Sequence, residues 1–204
     1  LKTPLTSIST SADILARDDE NNEWILNIQR QTRRLSRLVE NLITLSRLDE
    51  ELPIPEKTEF SLSEVLEESI LPFLSVARAG GKKLETQIEK DLVIRADQAS
   101  IRQMLSLLLD NALKYSDENG YIRLDACRRK KKIIIELFNT CHRINTGETE
   151  RLFERFYRPD QSRSGQTGGA GVGLSIARAI ARAHGGDITV KSRSGNSICF
   201  TVVL

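Results

Sequence analysis

The sequence contains few cysteines, and their pattern argues against two kinds of cross-linked domain. Only three occur among 204 residues, at Cys127, Cys141 and Cys199, and no two of them form a CxxC pair. This odd, scattered set disfavours a disulfide framework or a zinc knuckle and favours a reducing compartment. Cys127 and Cys199 lie in β-like runs, where a thiol commonly acts as a small buried hydrophobe.

The sequence also lacks a long hydrophobic run and an excess of charge of one sign. No apolar run approaches the roughly 20 residues that cross a bilayer, and we find no signal-peptide pattern. The formal net charge of +2 is too near neutral to indicate a nucleic-acid partner. With 39% hydrophobic and 28% charged residues, the chain suits one or two globular domains with a proper core.

Glycine and proline are nearly absent from the first 50 residues, which predicts helices there. Residues 1–16 have one apolar face, and residues 22–50 carry Ile28, Leu35 and Leu42 at heptad spacing. Such spacing is typical of a coiled-coil seam. Because two such helices leave a wide apolar face exposed, we expect hairpins from two chains to form a four-helix bundle.

After a proline-containing linker at residues 51–59, the pattern changes to mixed helices and strands. The order predicts an α+β sandwich with helices on one face of a mostly antiparallel sheet. The predicted helices cover residues 61–79, 101–115 and 174–184, and the predicted strands lie in LETQIEKDLVIRAD, YIRLDACRR, KKIIIELF and at residues 187–192 and 197–204.

Two basic clusters each have two interpretations. RRKKK, residues 128–132, is expected to be a solvated hairpin turn, and a nucleic-acid patch is the alternative. The four arginines at positions 30, 33, 34 and 37 form one stripe on the second helix. A solvated face is the default there, and a surface for an acidic protein partner is the alternative.

Two further segments contain residues suited to nucleotide chemistry. GGAGVGLS, residues 168–175, precedes a helix, and its glycines would let backbone N–H groups close on phosphate oxygens. It does not follow a strand, which disfavours a Rossmann turn and leaves a flexible loop as the alternative. In DNALKYS, Asn111 and Lys114 share a helix face. A side-chain carbonyl can bind Mg²⁺ and an ammonium can meet phosphate.

Together with LKTPLT and LFERFYRPDQSRS, these segments resemble consecutive motifs of bacterial two-component sensor histidine kinases. They occur in the family's order and at its spacing, over essentially the whole chain. The resemblance implies a dimerisation and phosphotransfer hairpin at residues 1–52, a linker at 53–59 and a catalytic ATP-binding domain at 60–204. The implied fold is α+β, with a dimeric four-helix bundle followed by an α/β sandwich of the gyrase, chaperone and histidine kinase ATPase type.

The resemblance also implies roles for the residues that match the family's motifs. Asn111 matches the Mg²⁺-binding residue of the N box, and Lys114 and Tyr115 match its phosphate and nucleotide contacts. Thr3 matches the residue four after the phospho-acceptor His, which in this family helps to dephosphorylate the partner by orienting a water. The other implied nucleotide contacts are Asn139, Ile144, the F-box residues Phe153 and Phe156, Arg158, and the G2-box residues Gly169, Gly171, Val172, Gly173 and Leu174, with a lid at residues 159–168.

The sequence departs from the family pattern in two places. It begins at the Leu of the family's His, acidic residue, Leu, Lys, Thr, Pro, Leu pattern, so we expect the phospho-acceptor His just before Leu1 in a longer protein. The stretch FNTCHRI, residues 138–144, occupies the G1 box, which usually reads Asp, any, Gly, any, Gly. Asn139 stands at the Asp, Cys141 at the first Gly and Arg143 at the second. Leu107 is a lesser departure, because many members have a polar residue there.

The G1 change is expected to weaken the nucleotide site without removing it. Asn139 can accept the adenine amino hydrogen through its carbonyl oxygen, but it lacks the charge that strengthens such bonds. A loss of about 1.4 kcal/mol would weaken ATP binding tenfold. If either glycine position requires a positive φ, Cys141 or Arg143 would add strain of roughly 1–2 kcal/mol.

Three functions follow as hypotheses. In the first, the chain is a protein histidine kinase core that uses ATP and Mg²⁺, forms a homodimer through residues 1–50 and passes phosphate to the receiver domain of a response regulator. It would act in the cytoplasm, with any membrane attachment through segments outside this chain. The second is a degenerate kinase that acts as a phosphatase or scaffold, and the third is a gyrase-like or chaperone-like ATPase, which would not need the LKTPLT helix.

Overall fold

A computed structural model describes residues 2–18, 22–49, 57–141, 146–157, 171–193 and 195–204. The chain divides into two compact units, Leu1–Glu51 and Leu52–Leu204. In its described residues the first unit consists of helices, whereas the second combines helices with strands.

The first unit is a pair of packed helices, α1 (Lys2–Asp18) and α2 (Glu23–Asp49). Asn22 begins α2, because its side-chain oxygen accepts hydrogen bonds from the backbone N–H of Trp24 and Ile25. Gln29 on α2 donates a hydrogen bond of 2.7 Å to the Asp13 carboxylate on α1. The side chains buried between the helices include Leu5, Ala12 and Val39.

Among the described residues of this unit, several large apolar side chains are exposed. Ile28 and Leu35, both in the predicted seam, are 46% and 48% exposed, and Ile8 and Leu15 on α1 are about as exposed. Exposed apolar side chains arranged along paired helices usually mark an interaction surface. Among the described helices, none combines the length and apolar character that crossing a membrane would require.

The second unit contains a five-stranded sheet with the strand order β2-β4-β5-β7-β6. Strand β2 pairs with β4 in parallel, and the other pairs are antiparallel. The strands are β2 (Lys83–Ile88), β4 (Tyr121–Arg129), β5 (Lys132–Thr140), β6 (Asp187–Arg193) and β7 (Ser197–Val203).

Three helices pack against this sheet and bury its inward side chains. They are α3 (Leu62–Ala79), α4 (Gln98–Tyr115) and α5 (Gly173–Ala183). Side chains alternate along β4 and β5, so that Ile122, Leu124, Ile135 and Leu137 are almost fully buried. This arrangement confirms the predicted α+β sandwich.

Several element boundaries and two elements differ from the prediction. Thr58 and Glu59, assigned to the linker, belong to strand β1 (Thr58–Ser61), which pairs with β3 (Val93–Ala96) in a separate two-stranded sheet. A 3-10 helix at Thr146–Phe153 was not predicted. Helix α4 begins three residues earlier than expected because Asp97 caps it.

The RRKKK stretch confirms the turn interpretation. Strand β4 ends at Arg129 and β5 begins at Lys132, so the turn consists of Lys130 and Lys131. Lys130 has a φ of 58°, as tight hairpin turns require. All five basic side chains are exposed.

Candidate functional site

The last turns of α4 carry three of the predicted site residues. Asn111 is partly exposed, and Tyr115 is 39% exposed. The Lys114 ammonium lies 2.5 Å from the Asp110 carboxylate, one turn earlier on the same helix. The helix therefore presents an amide oxygen that can bind a hard cation, with a lysine beside it that can meet an anion.

A lysine that the sequence reasoning missed holds the end of this helix. The ammonium of Lys82 donates hydrogen bonds to the backbone oxygens of Leu113, at 2.5 Å, and Ser116, at 3.0 Å. These oxygens lie at the C-terminus of α4, where the helix dipole favours a positive charge. Burial lowers the pKa of the Lys82 ammonium, while the charges of Asp117 and Glu118 oppose that shift.

Replacing Lys82 by methionine is expected to loosen the C-terminus of α4. Methionine keeps most of the apolar stem but leaves the two carbonyl oxygens without this donor, which should lower the free energy of unfolding by about 1 kcal/mol. Urea unfolding measures the change. The matched control is Lys83→Met, because the neighbouring Lys83 side chain is 72% exposed, pairs with Glu85 on the same strand and lies 6.0 Å from the centre of the Tyr121 ring. Equal stability of the two variants would contradict the assigned role of Lys82.

Asn139 lies at the end of β5 as a fully buried polar side chain. Its relative exposure is 0%, and its strand neighbours in register are Ile122 and Ile198. Its amide nitrogen donates to the Thr140 carbonyl at 3.0 Å, which fixes the orientation of the amide. Among the described atoms, its carbonyl oxygen has no hydrogen-bond partner. Since buried polar atoms are nearly always paired, this acceptor is suited to a ligand donor.

The ends of β5 and α4 are joined next to Asn139. The backbone N–H of Asp117, just after α4, donates to the Thr140 carbonyl at 3.3 Å. The backbone N–H of Tyr121 donates to the Thr140 hydroxyl at 2.9 Å. These bonds place the helix end with Asn111 and Lys114 at the same edge of the unit as the buried amide.

Cys141 is a structural residue. Its side chain is 2% exposed, and its backbone N–H donates to the Asn196 carbonyl at 3.0 Å. Burial raises the pKa of the Cys141 thiol to about 11, and the negative charge of Asp117 adds to the shift. The thiol is therefore protonated at neutral pH and unreactive. Cys141 is not among the described residues with a positive φ, so the strain considered for this position does not arise.

Phe153, at the end of the 3-10 helix, is buried between an aromatic ring and a cation. Its ring meets Phe200 edge-to-face at 6.3 Å between centroids. The guanidinium carbon of Arg178 lies 4.5 Å from the centre of the same ring. Arg178 also pairs with Glu150 and Asp187. Its hydrogen bond holds the pKa of the Asp187 carboxyl well below its usual range, and the hydrogen bond from Arg182 acts in the same direction.

The F-box and G2-box segments meet directly through their backbones. The Phe156 N–H donates to the Gly171 carbonyl at 2.8 Å. Gly171 has a φ of +72°, and an added Cβ would lie 2.9 Å from the Phe156 carbonyl carbon. Only glycine fits this position without strain and steric conflict. The Phe156 side chain itself is 67% exposed.

Helix α5 begins immediately after this contact without a side-chain cap. Val172 occupies the cap position and makes no side-chain capping bond, while Val172 and Leu174 are buried. A Cβ added to Gly173 would lie 3.5 Å from Leu107, which is four residues before Asn111 on α4. The start of α5, which has no side-chain cap, thus lies next to α4, and the first N–H groups of a helix have no partner within the helix and suit an anion.

Four predicted contacts lie wholly or partly outside the described part of the chain. Ile144, Arg158 and Gly169, with the predicted lid at 159–168, are outside it, and Thr3 is described only as part of helix α1. In the described ranges, the structure brings the N-box, F-box and G2-box residues and Asn139 into one connected region.

Lys82 and Arg178 were not predicted as site residues, because their partners are distant in sequence. The only sequence signal was the four-residue spacing of Arg178 and Arg182.

Two family models match most of the chain. Residues 96–204 match the model described as histidine kinase-, DNA gyrase B-, and HSP90-like ATPase. Residues 1–51 match the His Kinase A (phospho-acceptor) domain. The sensor histidine kinase RppB of Synechocystis sp. is 31% identical over 210 residues, which cover 100% of this chain and 46% of RppB. The chain spans about half the length of the curated relatives it matches.

Solved structures show the same fold. The catalytic domain of histidine kinase ThkA in a nucleotide-free form is 28% identical, with a TM-score of 0.64 over 73% of this chain and 95% of that one. ShkA in complex with AMPPNP is 23% identical, with a TM-score of 0.81 over 98% of this chain and 42% of that one. ThkA in complex with the response regulator protein TrrA is 24% identical, with a TM-score of 0.68 over 100% and 57%.

The match of residues 96–204 identifies the ATPase fold, and the match of residues 1–51 identifies a phospho-acceptor domain before it. The chain belongs to the histidine kinase-, DNA gyrase B- and HSP90-like ATPase family and, within it, to the two-component sensor histidine kinases. The curated relatives that the chain matches are named sensor histidine kinases or sensor proteins.

Proposed function

We propose that this chain is the core of a two-component histidine kinase that binds Mg-ATP and phosphorylates a histidine preceding Leu1. The observation that carries the proposal is the buried carbonyl oxygen of Asn139, which has no hydrogen-bond partner among the described atoms. An adenine amino group is a donor that would satisfy it, so the residues present fit the nucleotide. Because Asn139 is neutral, that bond is weaker than one to a carboxylate.

The residues around Asn139 have the following proposed roles. Asn111 would hold the Mg²⁺ ion through its amide oxygen, and the ion would supply positive charge against the phosphates. Lys114 moves from Asp110 to the phosphates, and the N–H groups at the start of α5 bind the phosphate oxygens. Tyr115, Ile144, Phe153, Phe156, Arg158, Gly169, Gly171, Val172, Gly173 and Leu174 complete the nucleotide contacts.

The proposed reaction is mainly one of positioning and charge stabilisation. The bond between the γ-phosphorus and the oxygen bridging to the β-phosphate breaks, a bond from phosphorus to an imidazole nitrogen forms, and ADP leaves. The phosphoryl group then passes to an aspartate of a response regulator. In the separate dephosphorylating activity, Thr3 orients a water that attacks the phosphorus of the regulator's phosphoaspartate, which releases inorganic phosphate and restores the aspartate.

The partners follow from the same assignment. The exposed apolar face with Ile8, Leu15, Ile28 and Leu35 would be covered by the equivalent face of a second copy, which gives a four-helix bundle. ThkA was solved with a response regulator, and a receiver domain is the partner we propose for this chain. We place the activity in the cytoplasm, with membrane attachment through segments outside the chain.

The proposed activity is tested by autophosphorylation. The chain is extended by His and Glu before Leu1, incubated with labelled ATP and Mg²⁺, and assayed for acid-labile, base-stable label. The expected result is label that is lost when the added His is replaced by Gln. Absence of label from a folded, dimeric sample would contradict kinase activity.

A second function is favoured by the altered G1 stretch. With Asn139 and Cys141 in place of an Asp and a Gly, the chain would bind nucleotide poorly and act as a phosphatase or scaffold for the regulator. This alternative predicts binding of the receiver domain to residues 1–51 without measurable ATP affinity. Mg²⁺-dependent binding of an ATP analogue that requires Asn139 would decide against it.

A further inference from the structure

Arg178 connects three segments of the nucleotide-binding unit. It lies on α5, five residues after Gly173, and its side chain is 18% exposed. One guanidinium N–H donates to Glu150 on the 3-10 helix at 2.9 Å. Two others donate to the Asp187 carboxylate at 2.8 and 3.3 Å. The guanidinium carbon lies over the Phe153 ring, 4.5 Å from its centre.

Asp187 fixes the plane of this guanidinium. It accepts from Arg178 through both oxygens, which is the geometry that a rigid fork of donors matches best. It also accepts the backbone N–H of Ile188 at 2.8 Å, so the carboxylate is held at the start of β6. With two donors committed to Asp187, the Arg178 guanidinium is oriented toward Glu150 and Phe153.

The 3-10 helix is therefore attached to the start of α5 at two points. Beyond its end, the Phe156 N–H binds the Gly171 carbonyl. Within it, Glu150 and Phe153 contact Arg178, about one and a half turns into α5. Two attachments restrict the rotation of one element against another more than a single attachment does.

We propose that Arg178 is a positioning residue for the phosphates of the nucleotide. It holds the 3-10 helix and α5 in the relative orientation that directs the uncapped N–H groups of Gly173 and Leu174 toward the phosphate position. This inference rests on the proposed nucleotide-binding function. It assigns Arg178 to the phosphate end of the ligand, while Asn139 serves the base.

The test compares two ligands and two arginine variants. Arg178→Leu removes every contact of the guanidinium, and Arg182→Leu is the matched control. Arg182 donates to the same Asp187 carboxylate, is 59% exposed, and its described hydrogen bonds reach neither Glu150 nor Phe153. The affinities of a non-hydrolysable ATP analogue with Mg²⁺ and of adenosine are measured by NMR titration of the whole chain.

We expect the affinity of only one of the two ligands to change. Arg178→Leu should weaken binding of the ATP analogue about tenfold and leave adenosine within about twofold of the wild-type affinity. Arg182→Leu should leave both unchanged. Equal weakening of both ligands, or no weakening of either, would overturn the positioning role while leaving the proposed function standing. Failure of the wild-type chain to bind either ligand would overturn the proposed function and this inference together.

A milder variant covers the case in which Arg178→Leu does not fold. Glu150→Gln removes one charged partner, whose side chain is 65% exposed, and leaves the Asp187 pair and the Phe153 contact intact. It should weaken binding of the ATP analogue by about two- to threefold without affecting binding of adenosine. An unchanged affinity for the ATP analogue in this folded variant would count against the role of the 3-10 helix attachment.

Discussion

Replacing Asn139 by leucine is expected to weaken binding of an ATP analogue at least about tenfold without destabilising the fold. Leucine has a similar size but removes the buried oxygen, which has no partner in the part of the chain that the structure describes. Removing such an atom relieves a desolvation cost of about 1–3 kcal/mol, which offsets the lost bond from the amide nitrogen to Thr140. The free energy of unfolding should therefore remain unchanged or rise, while the affinity falls.

Opposite effects on stability and binding distinguish a ligand-binding residue from a structural one. Urea unfolding and calorimetric titration of the same Asn139→Leu sample provide both quantities. Ser69 offers the control, because its hydroxyl oxygen is also buried without a partner among the described atoms. Ser69→Ala should likewise keep or raise stability, but it should leave the affinity for the analogue unchanged. Full affinity in Asn139→Leu would rule out adenine recognition by this residue.

The second large effect is expected at Gly171, where alanine should greatly reduce nucleotide binding. Alanine at a φ of +72° is strained by roughly 1–2 kcal/mol. Its Cβ would also lie 2.9 to 3.1 Å from three backbone atoms of Phe156, so the F-box segment must shift. Because this contact adjoins the start of α5, we expect the affinity for the ATP analogue to fall at least about tenfold.

Gly185 separates backbone strain from steric conflict. Its φ of +82° resembles that of Gly171, but no atom lies within 4 Å of an added Cβ. Gly185→Ala should therefore lower stability by about 1 kcal/mol through strain alone and leave nucleotide affinity unchanged. The two variants are compared by thermal unfolding and by titration with the analogue. Equal affinities would show that contact between the F-box and G2-box backbones is not needed for binding.

The sequence predicted those parts of the fold that depend on local patterns. Period-2 alternation indicated the β4–β5 hairpin, and heptad spacing indicated α2. Strand β1 was missed because its four residues follow two prolines and its partner, β3, lies more than thirty residues away. The sequence does not show such a pairing locally, since the contact forms only when α3 folds back between the two strands.

In the candidate site too, residues in local motifs were predicted, and residues that act through distant contacts were not. Asn111, Lys114 and Gly171 were found because their types and spacing match motifs. Lys82 and Arg178 were not, because each acts through partners that only the tertiary structure brings near. Asn139 was predicted only in part. The sequence shows a polar residue at the end of an apolar strand, but only the structure shows that its oxygen has no partner among the described atoms.

We propose that the altered G1 stretch still forms a nucleotide site, and calorimetry tests this claim. The chain is titrated with a non-hydrolysable ATP analogue in the presence and absence of Mg²⁺. We predict saturable binding that Mg²⁺ strengthens, because Asn111 contributes a ligand only when the ion accompanies the phosphates. No heat of binding at millimolar analogue, from a sample shown to be folded, would contradict the claim and favour the phosphatase or scaffold function.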